Sequence, residues 1–162
     1  MAMAYEIGPM TLPAAKAIAR WTYAGEYAVY SFRPDQETLN ELMSGAYFAC
    51  TTRGKELVGY FCFGEAARIP TVEADVYPNG PVDLGLGLRP DRCGRGEGAA
   101  FLRAGLVYAR HAFGPQEMRL TVACFNRRAI ALYTHAGFCP QRTVTHRLSN
   151  RPFSIMTRPT DP

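Results

Sequence analysis

Residues 86–102 read LGLRPDRCGRGEGAAFL and set Gly94, Gly96 and Gly98 between an alternating run and a helical one. Glycines at such a junction let backbone amides approach a ligand closely, and the start of a helix adds partial positive charge. Arg89, Arg92 and Arg95 stand around them. Together these residues suit an anion, and phosphate in particular. A P-loop is excluded, because no lysine follows the glycines. The dinucleotide fingerprint is formally met by Gly94, Gly96 and Ala99. It also needs an acid closing the next strand, and Glu117 precedes the strand at Met118 instead.

Two readings of the turn stay open on the glycines alone: a seat for the pyrophosphate arm of coenzyme A, and a tight turn that only lets helix and strand pack. The strand before it bears on the choice. Asp83, Gly85 and Gly87 alternate with Val82, Leu84, Leu86 and Leu88, so one face is apolar and the other nearly bare, headed by a carboxylate. A bare face admits either a bulge or an extended ligand against the backbone. A second constellation, NRRAIALYTHAGF, follows. Asn126 can cap its helix and Gly137 can close it. Tyr133, nearly two turns after Asn126, projects from the same face and could reach a ligand.

The elements that must hold these residues are legible in outline. Thr11 caps a short helix with Pro13 near its start, and a second helix runs from about Asp35 to Met43, ended at Ser44 and Gly45. Runs 46–51 and 57–64 form a hairpin around residues 52–55. Residues 66–81 hold Pro70, Pro78, Asn79, Gly80 and Pro81 and form a long loop. A strand at 82–88 precedes the glycine turn, and a helix runs on to about His111. Its apolar stripe is expected at Ala99, Leu102, Leu106, Ala109 and Phe113. A strand at 118–124, a helix at 126–136 and strands near 141–148 and 152–157 complete one mixed α+β unit.

Composition narrows the classes. The 162 residues are 48% hydrophobic and 20% charged, ordinary for one globular domain. No run approaches the length of a membrane span, and the first residues lack the pattern of a secretory signal. Five scattered cysteines (Cys50, Cys62, Cys93, Cys124, Cys139) form no C-x-x-C pair, which suits reduced thiols in a cytoplasm. His111, His135 and His146 have no metal-ligand spacing, so no metal is expected. The net charge of +4 rests on sixteen arginines and two lysines, a bias that codon usage explains as readily as a phosphate ligand.

The two segments together resemble the GNAT superfamily of N-acetyltransferases. Its acetyl-CoA motif reads Q/R-x-x-G-x-G/A and is followed by N-x-x-A-x-x-L-Y-x-x-x-G-F. The resemblance is close from about residue 82 to 138 and looser in the flanks. Cys93 stands where the family usually has Gln or Arg. The phrase LGLGLRPDRCGRG resembles a branch of small bacterial members in which this position is often not basic.

The resemblance implies a single domain over 1–162. Its α/β (mixed α+β) fold has a central, mostly antiparallel sheet of six to seven strands, splayed in the middle and flanked by about four helices. It implies pyrophosphate binding by the amides of Gly94, Arg95, Gly96 and Gly98, with Arg89 beside them. Leu86 and Leu88 would offer main-chain groups to the pantetheine and the acetyl carbonyl. Asn126 would bind the pantetheine arm, and Tyr133 would protonate the departing CoA thiolate. The acceptor amine would attack the thioester directly. A base is then needed: Asp83, heading the bare face, is the first candidate and Glu65 the second. Trp21, Tyr23, Tyr27 and Tyr30 fall where the family usually builds its acceptor cleft.

The acceptor implied is a small or peptide amine, with no nucleic acid and no membrane as partner. Whether two copies assemble is open. The competing class is a non-catalytic acyl-CoA-binding sensor, which would keep the glycine turn and Asn126 without needing Tyr133 or a base.

Overall fold

Helix ends in this chain are set by local side-chain chemistry. In the computed structural model, which describes residues 4–160, α1 spans Leu12–Ala19 and α2 spans Gln36–Leu42. The Thr11 hydroxyl accepts from Ala14 N–H at 3.3 Å, and Asp35 Oδ1 accepts from Thr38 N–H at 2.9 Å. Each cap satisfies an amide that the helix itself leaves unpaired. The remaining helices are α3 (Gly98–Phe113) and α4 (Arg127–His135). Short 3-10 turns occupy Gly25–Tyr30, Gly64–Ala67 and Pro90–Arg92.

The strands are β1 (Tyr5–Pro9), β2 (Tyr47–Thr52), β3 (Leu57–Phe63), β4 (Val82–Leu88), β5 (Met118–Ala123), β6 (Cys139–Thr145) and β7 (Pro152–Arg158). They form a mixed seven-stranded sheet in the order β1-β2-β3-β4-β5-β7-β6. Pairs β1–β2, β2–β3, β5–β7 and β6–β7 are antiparallel, and β4–β5 is parallel. That parallel ladder takes in Val82 opposite Met118 and Asp83 opposite Arg119, the first two residues of β4. The mixed α/β class is as expected.

Three details differ from the sequence pattern. Strand β1 was not anticipated: a five-residue segment containing Gly8 and ending on Pro9 carries little β signal, and pairing with β2 supplies it. Strand β6 begins at Cys139 and stops at Thr145, earlier at both ends, because residues 146–151 close a turn. There Asn150 N–H donates to His146 C=O at 2.8 Å, and Asn150 has a φ of 58°. The buried face of α3 is Phe101, Leu102, Gly105 and Ala109. Ala99 is exposed and Phe113 is 42% exposed.

The chain divides into two compact units, Met1–Cys62 with Leu86–Ala109, and Phe63–Gly85 with Arg110–Pro162. In the first, Ile18, Leu42, Val58, Phe61, Phe101 and Leu102 are buried. Phe61 and Phe101 stack with centroids 4.5 Å apart. Each such ring contributes about 1.5–3 kcal/mol by leaving water. Gly105 belongs to this core by close approach, since a Cβ there would fall within the Phe61 ring. In the second unit, Leu84, Leu120, Val122, Phe138, Val144, Phe153, Ile155 and Met156 are buried.

Gly105→Ala separates two opposing effects. Helix propensity alone would stabilise the alanine variant by about 1 kcal/mol. Overpacking against a fully buried ring costs about 1–3 kcal/mol, and the clash is expected to win. Thermal denaturation should show a lower Tm for Gly105→Ala. A raised Tm would contradict the packing of α3 on Phe61.

Candidate active site

The glycine turn belongs to the first unit. β4 ends at Leu88, the 3-10 turn Pro90–Arg92 follows, and Gly94 and Gly96 adopt φ of 73° and 78° before α3 begins. Left-handed backbone at both positions favours glycine there. A Cβ on Gly96 would meet open space, so conformation and not crowding selects that residue. The first amides of α3 have no acceptor within their own helix and carry the positive end of its dipole.

The arginines around the turn divide their work. Arg89 donates through Nε and Nη2 to the two Asp91 oxygens at 2.6 and 3.1 Å, and through Nη1 to Leu57 C=O at 2.7 Å. Arg92 bridges Glu97 at 2.8 Å and Glu56 at 2.7 Å. Of the three arginines read from the sequence, two are therefore engaged by carboxylates and one is not. Arg89 and Arg92 fold the turn, and Arg95 is exposed, with no carboxylate partner among the described residues.

Tyr23 also meets β4. Its hydroxyl donates to Leu88 C=O at 2.7 Å, and burial pushes that hydroxyl's pKa well up. Cys93 Sγ lies 3.6 Å from the Leu88 and Arg89 carbonyls. The bare face of β4 is covered at Gly87, where the Tyr60 ring occupies the space a Cβ would need. Tyr60 in turn packs against Trp21 at 6.3 Å and Phe32 at 5.7 Å between centroids. Tyr27 and Tyr30 lie in the 3-10 turn Gly25–Tyr30, in which no residue is fully buried. Burial pushes the Cys50 thiol up to about 12, which suits packing and not nucleophilic attack.

The second unit holds the remaining candidates. The α4 motif is a helix with both ends fixed. Asn126 Oδ1 accepts from Ala129 N–H at 3.2 Å. At the other end Gly137 has a φ of 100°, Phe138 N–H reaches back to Tyr133 C=O at 3.0 Å, and Gly137 N–H to Thr134 C=O at 3.1 Å. This pair of reverse bonds brings the residue after the glycine onto the helix's last turn, and the Phe138 ring meets Tyr133 edge-on at 6.1 Å. Tyr133, 9% exposed, is thereby fixed in backbone and in ring orientation.

Asp83 is 2% exposed and held as a counter-ion. Its Oδ1 accepts from Arg119 Nε at 2.6 Å, and its Oδ2 from Arg119 Nη2 at 2.8 Å and Arg68 Nε at 2.9 Å. Both guanidiniums lie over the Tyr77 ring, at 5.1 Å for Arg119 and 5.5 Å for Arg68. The Asp83 carboxylate raises the pKa of Arg119 further. A buried carboxylate with both oxygens already bonded to cations is poorly placed to take a proton from an incoming amine. The base role expected first for Asp83 does not fit this geometry. Glu65, on the turn Gly64–Ala67, is exposed.

Reading the sequence missed Arg119, Arg68 and Tyr77. Arg119 had a signal, being an arginine inside the apolar strand MRLTVA, where a buried charge demands a partner. Arg68 and Tyr77 lie in irregular chain and had none. Among the described residues no group of His, Cys, Asp and Glu could hold a metal ion, and no helix is long and apolar enough to cross a membrane.

Removing one partner of a buried ion pair costs about 3 kcal/mol or more. For a chain of this size that corresponds to a Tm about 6–12 °C lower. Asp83→Asn is expected to lose this much by thermal denaturation. A variant with wild-type Tm would show that Asp83 is not the structural anion of this unit.

Comparison with known proteins agrees with the motifs. No curated protein matches the sequence. Solved structures match in fold at low identity. A GNAT-family acetyltransferase from Bacillus anthracis aligns with a TM-score of 0.71 at 15% identity, over 97% of both chains. AAC(6')-Ib, solved with ribostamycin and coenzyme A, aligns at 0.71 and 19% identity, over 96% of this chain and 93% of that one. A chimera of the Vibrio cholerae spermidine N-acetyltransferase SpeG and hSSAT aligns at 0.70 and 16% identity, over 95% and 94%. The model of the acetyltransferase (GNAT) family matches residues 13–138, most of the chain and both motifs. On this match the chain belongs to the GNAT acetyltransferase family.

Proposed function

We propose that this protein is one acetyltransferase domain over 1–162, working in the cytoplasm. It transfers the acetyl group of acetyl-CoA to a primary amine. The observation that carries this reading is the glycine turn, with Gly94 and Gly96 in left-handed conformation directly ahead of α3. In this reading the amides of Gly94, Arg95, Gly96 and Gly98 take the pyrophosphate, and Arg95 adds a guanidinium at the turn with no carboxylate partner among the described residues. Leu86 and Leu88 offer main-chain groups to the pantetheine and the acetyl carbonyl. Tyr23 acts behind them, fixing the Leu88 carbonyl at 2.7 Å. Asn126 serves the pantetheine arm as well as its own helix. Trp21, Tyr27 and Tyr30 shape the acceptor cleft.

An alkylammonium with a pKa of about 10.4 must lose a proton before its nitrogen can attack. Glu65 is the carboxylate assigned to receive it, through water, while Asp83 stays a counter-ion. The neutral nitrogen adds to the thioester carbonyl, the C–S bond breaks as the nitrogen gives its second proton to water, and the Tyr133 hydroxyl protonates the thiolate and regains its own proton from solvent. No covalent enzyme intermediate forms. Peptide N-termini, polyamines and other small amines all carry a nitrogen able to react in this way.

A general acid contributes about 10²–10⁴-fold. Tyr133→Phe should therefore lower kcat at least about a hundredfold with little change in the KM for acetyl-CoA. Release of the CoA thiol from a panel of amines measures this. Acetyl-CoA binding without turnover of any amine by the wild type would favour the sensor class instead.

A further inference from the structure

The 3-10 turn Gly64–Ala67 is closed by Arg68 N–H donating to Glu65 C=O at 3.0 Å. Two opposite charges thus stand at the two ends of one turn, and among the described residues they do not pair with each other. Glu65 is exposed and its carboxylate has no hydrogen-bond partner among the described residues. Arg68 is anchored at one edge only. Its Nε bonds Asp83 Oδ2 at 2.9 Å, and its plane lies over the Tyr77 ring at 5.5 Å. Nη1 and Nη2 have no acceptor among the described residues, and the side chain is 29% exposed.

Within the bonded cluster itself, Asp83 supplies one negative charge and Arg119 and Arg68 two positive ones, with Glu117 and Glu65 as the further carboxylates nearby. Arg119 takes both oxygens of Asp83 and also gives Nη1 to Pro78 C=O at 2.8 Å, so it is fully used. The terminal nitrogens of Arg68 are the donors of this cluster that no anion among the described residues takes. A guanidinium held by its Nε edge and one ring face presents Nη1 and Nη2 as a preset fork. Such a fork matches the two oxygens of a carboxylate.

We infer that the acceptor is an amine that also bears a carboxylate, an amino-acid-like zwitterion. Its carboxylate sits on the Nη1/Nη2 fork of Arg68 and its amine lies toward Glu65. A phosphonate would also satisfy the fork, but its extra negative charge would sit beside the Glu65 carboxylate. A polyamine would meet the Arg68 cation instead of a counter-ion. This inference rests on the acetyltransferase reading and assigns Arg68 as a specificity residue within it.

Matched acceptors test it: several L-amino acids, each compared with its decarboxylated amine, together with an aminophosphonate and spermidine. A charge-assisted fork should favour the carboxylated member of each pair by about tenfold or more in kcat/KM. Arg68→Gln should abolish that preference, read as the ratio of kcat/KM for the two acceptors in one preparation, chiefly through KM for the amino acid. Because both acceptors meet the same preparation, loss of folding would lower both rates and leave the preference in place. Arg68→Lys keeps the charge without the fork and should recover part of the preference. Equal rates for each pair, or faster turnover of spermidine or the aminophosphonate, would overturn the inference while leaving the acetyltransferase reading intact. Failure to bind acetyl-CoA at all would overturn both.

Discussion

A single buried ion pair sets the terms for the second unit. Asp83 and Arg119 face each other across the start of the parallel ladder, each about 2% exposed. Neither charge tolerates burial alone, so strands β4 and β5 must meet in the one register that joins them. The pair also recruits the irregular chain that follows β3. Arg68 completes the third contact to Asp83, Arg119 bonds Pro78 C=O, and Tyr77 lies beneath both guanidiniums while its hydroxyl meets Thr121 at 2.7 Å. The long proline-rich loop is thus tied down by charge and by a ring face as well as by its buried Val76. The residue that looked most like a base is held as a counter-ion by two guanidiniums.

The catalytic proposal depends on a different device, the treatment of helix ends. The segment from Asn126 to Phe138 is a capped helix closed by two reverse hydrogen bonds at Gly137, and every recognisable letter of it serves that geometry. Asn126 accepts the Ala129 amide, Gly137 supplies the left-handed turn, and Phe138 packs on Tyr133. Tyr133 is thus held by the same bonds that end its helix. The turn before α3 uses the opposite end of a helix. There two left-handed glycines lead into amides that need an acceptor from outside the helix.

These two devices were legible because they are local. Thr11, Asp35, Asn126 and Gly137 act on backbone groups three or four residues away, so the sequence itself contains both partners. What escaped was the pairing of residues distant in the chain. Strand β1 exists because β2 accepts it, not because Tyr5–Pro9 has strand character. The stripe of α3 was right at Leu102 and Ala109 but missed Phe101 and Gly105, because Gly105 looks neutral in sequence, yet it is where Phe61 docks. Arg89 and Arg92 look like ligands for phosphate until Asp91, Glu56, Glu97 and the Leu57 carbonyl are seen to hold them. Likewise nothing near Asp83 in the chain announces Arg119.

The central claim is that the glycine turn is a coenzyme A site, and ligand-dependent stability tests it most directly. Acetyl-CoA at about a hundred times its dissociation constant should add roughly 2.7 kcal/mol to the native state. For a domain of this size that raises the Tm by about 5–10 °C. The account predicts this rise with acetyl-CoA and none with NADH or ATP at the same concentration. An unchanged Tm with millimolar acetyl-CoA, or an equal rise with NADH, would contradict it and leave the turn a packing element.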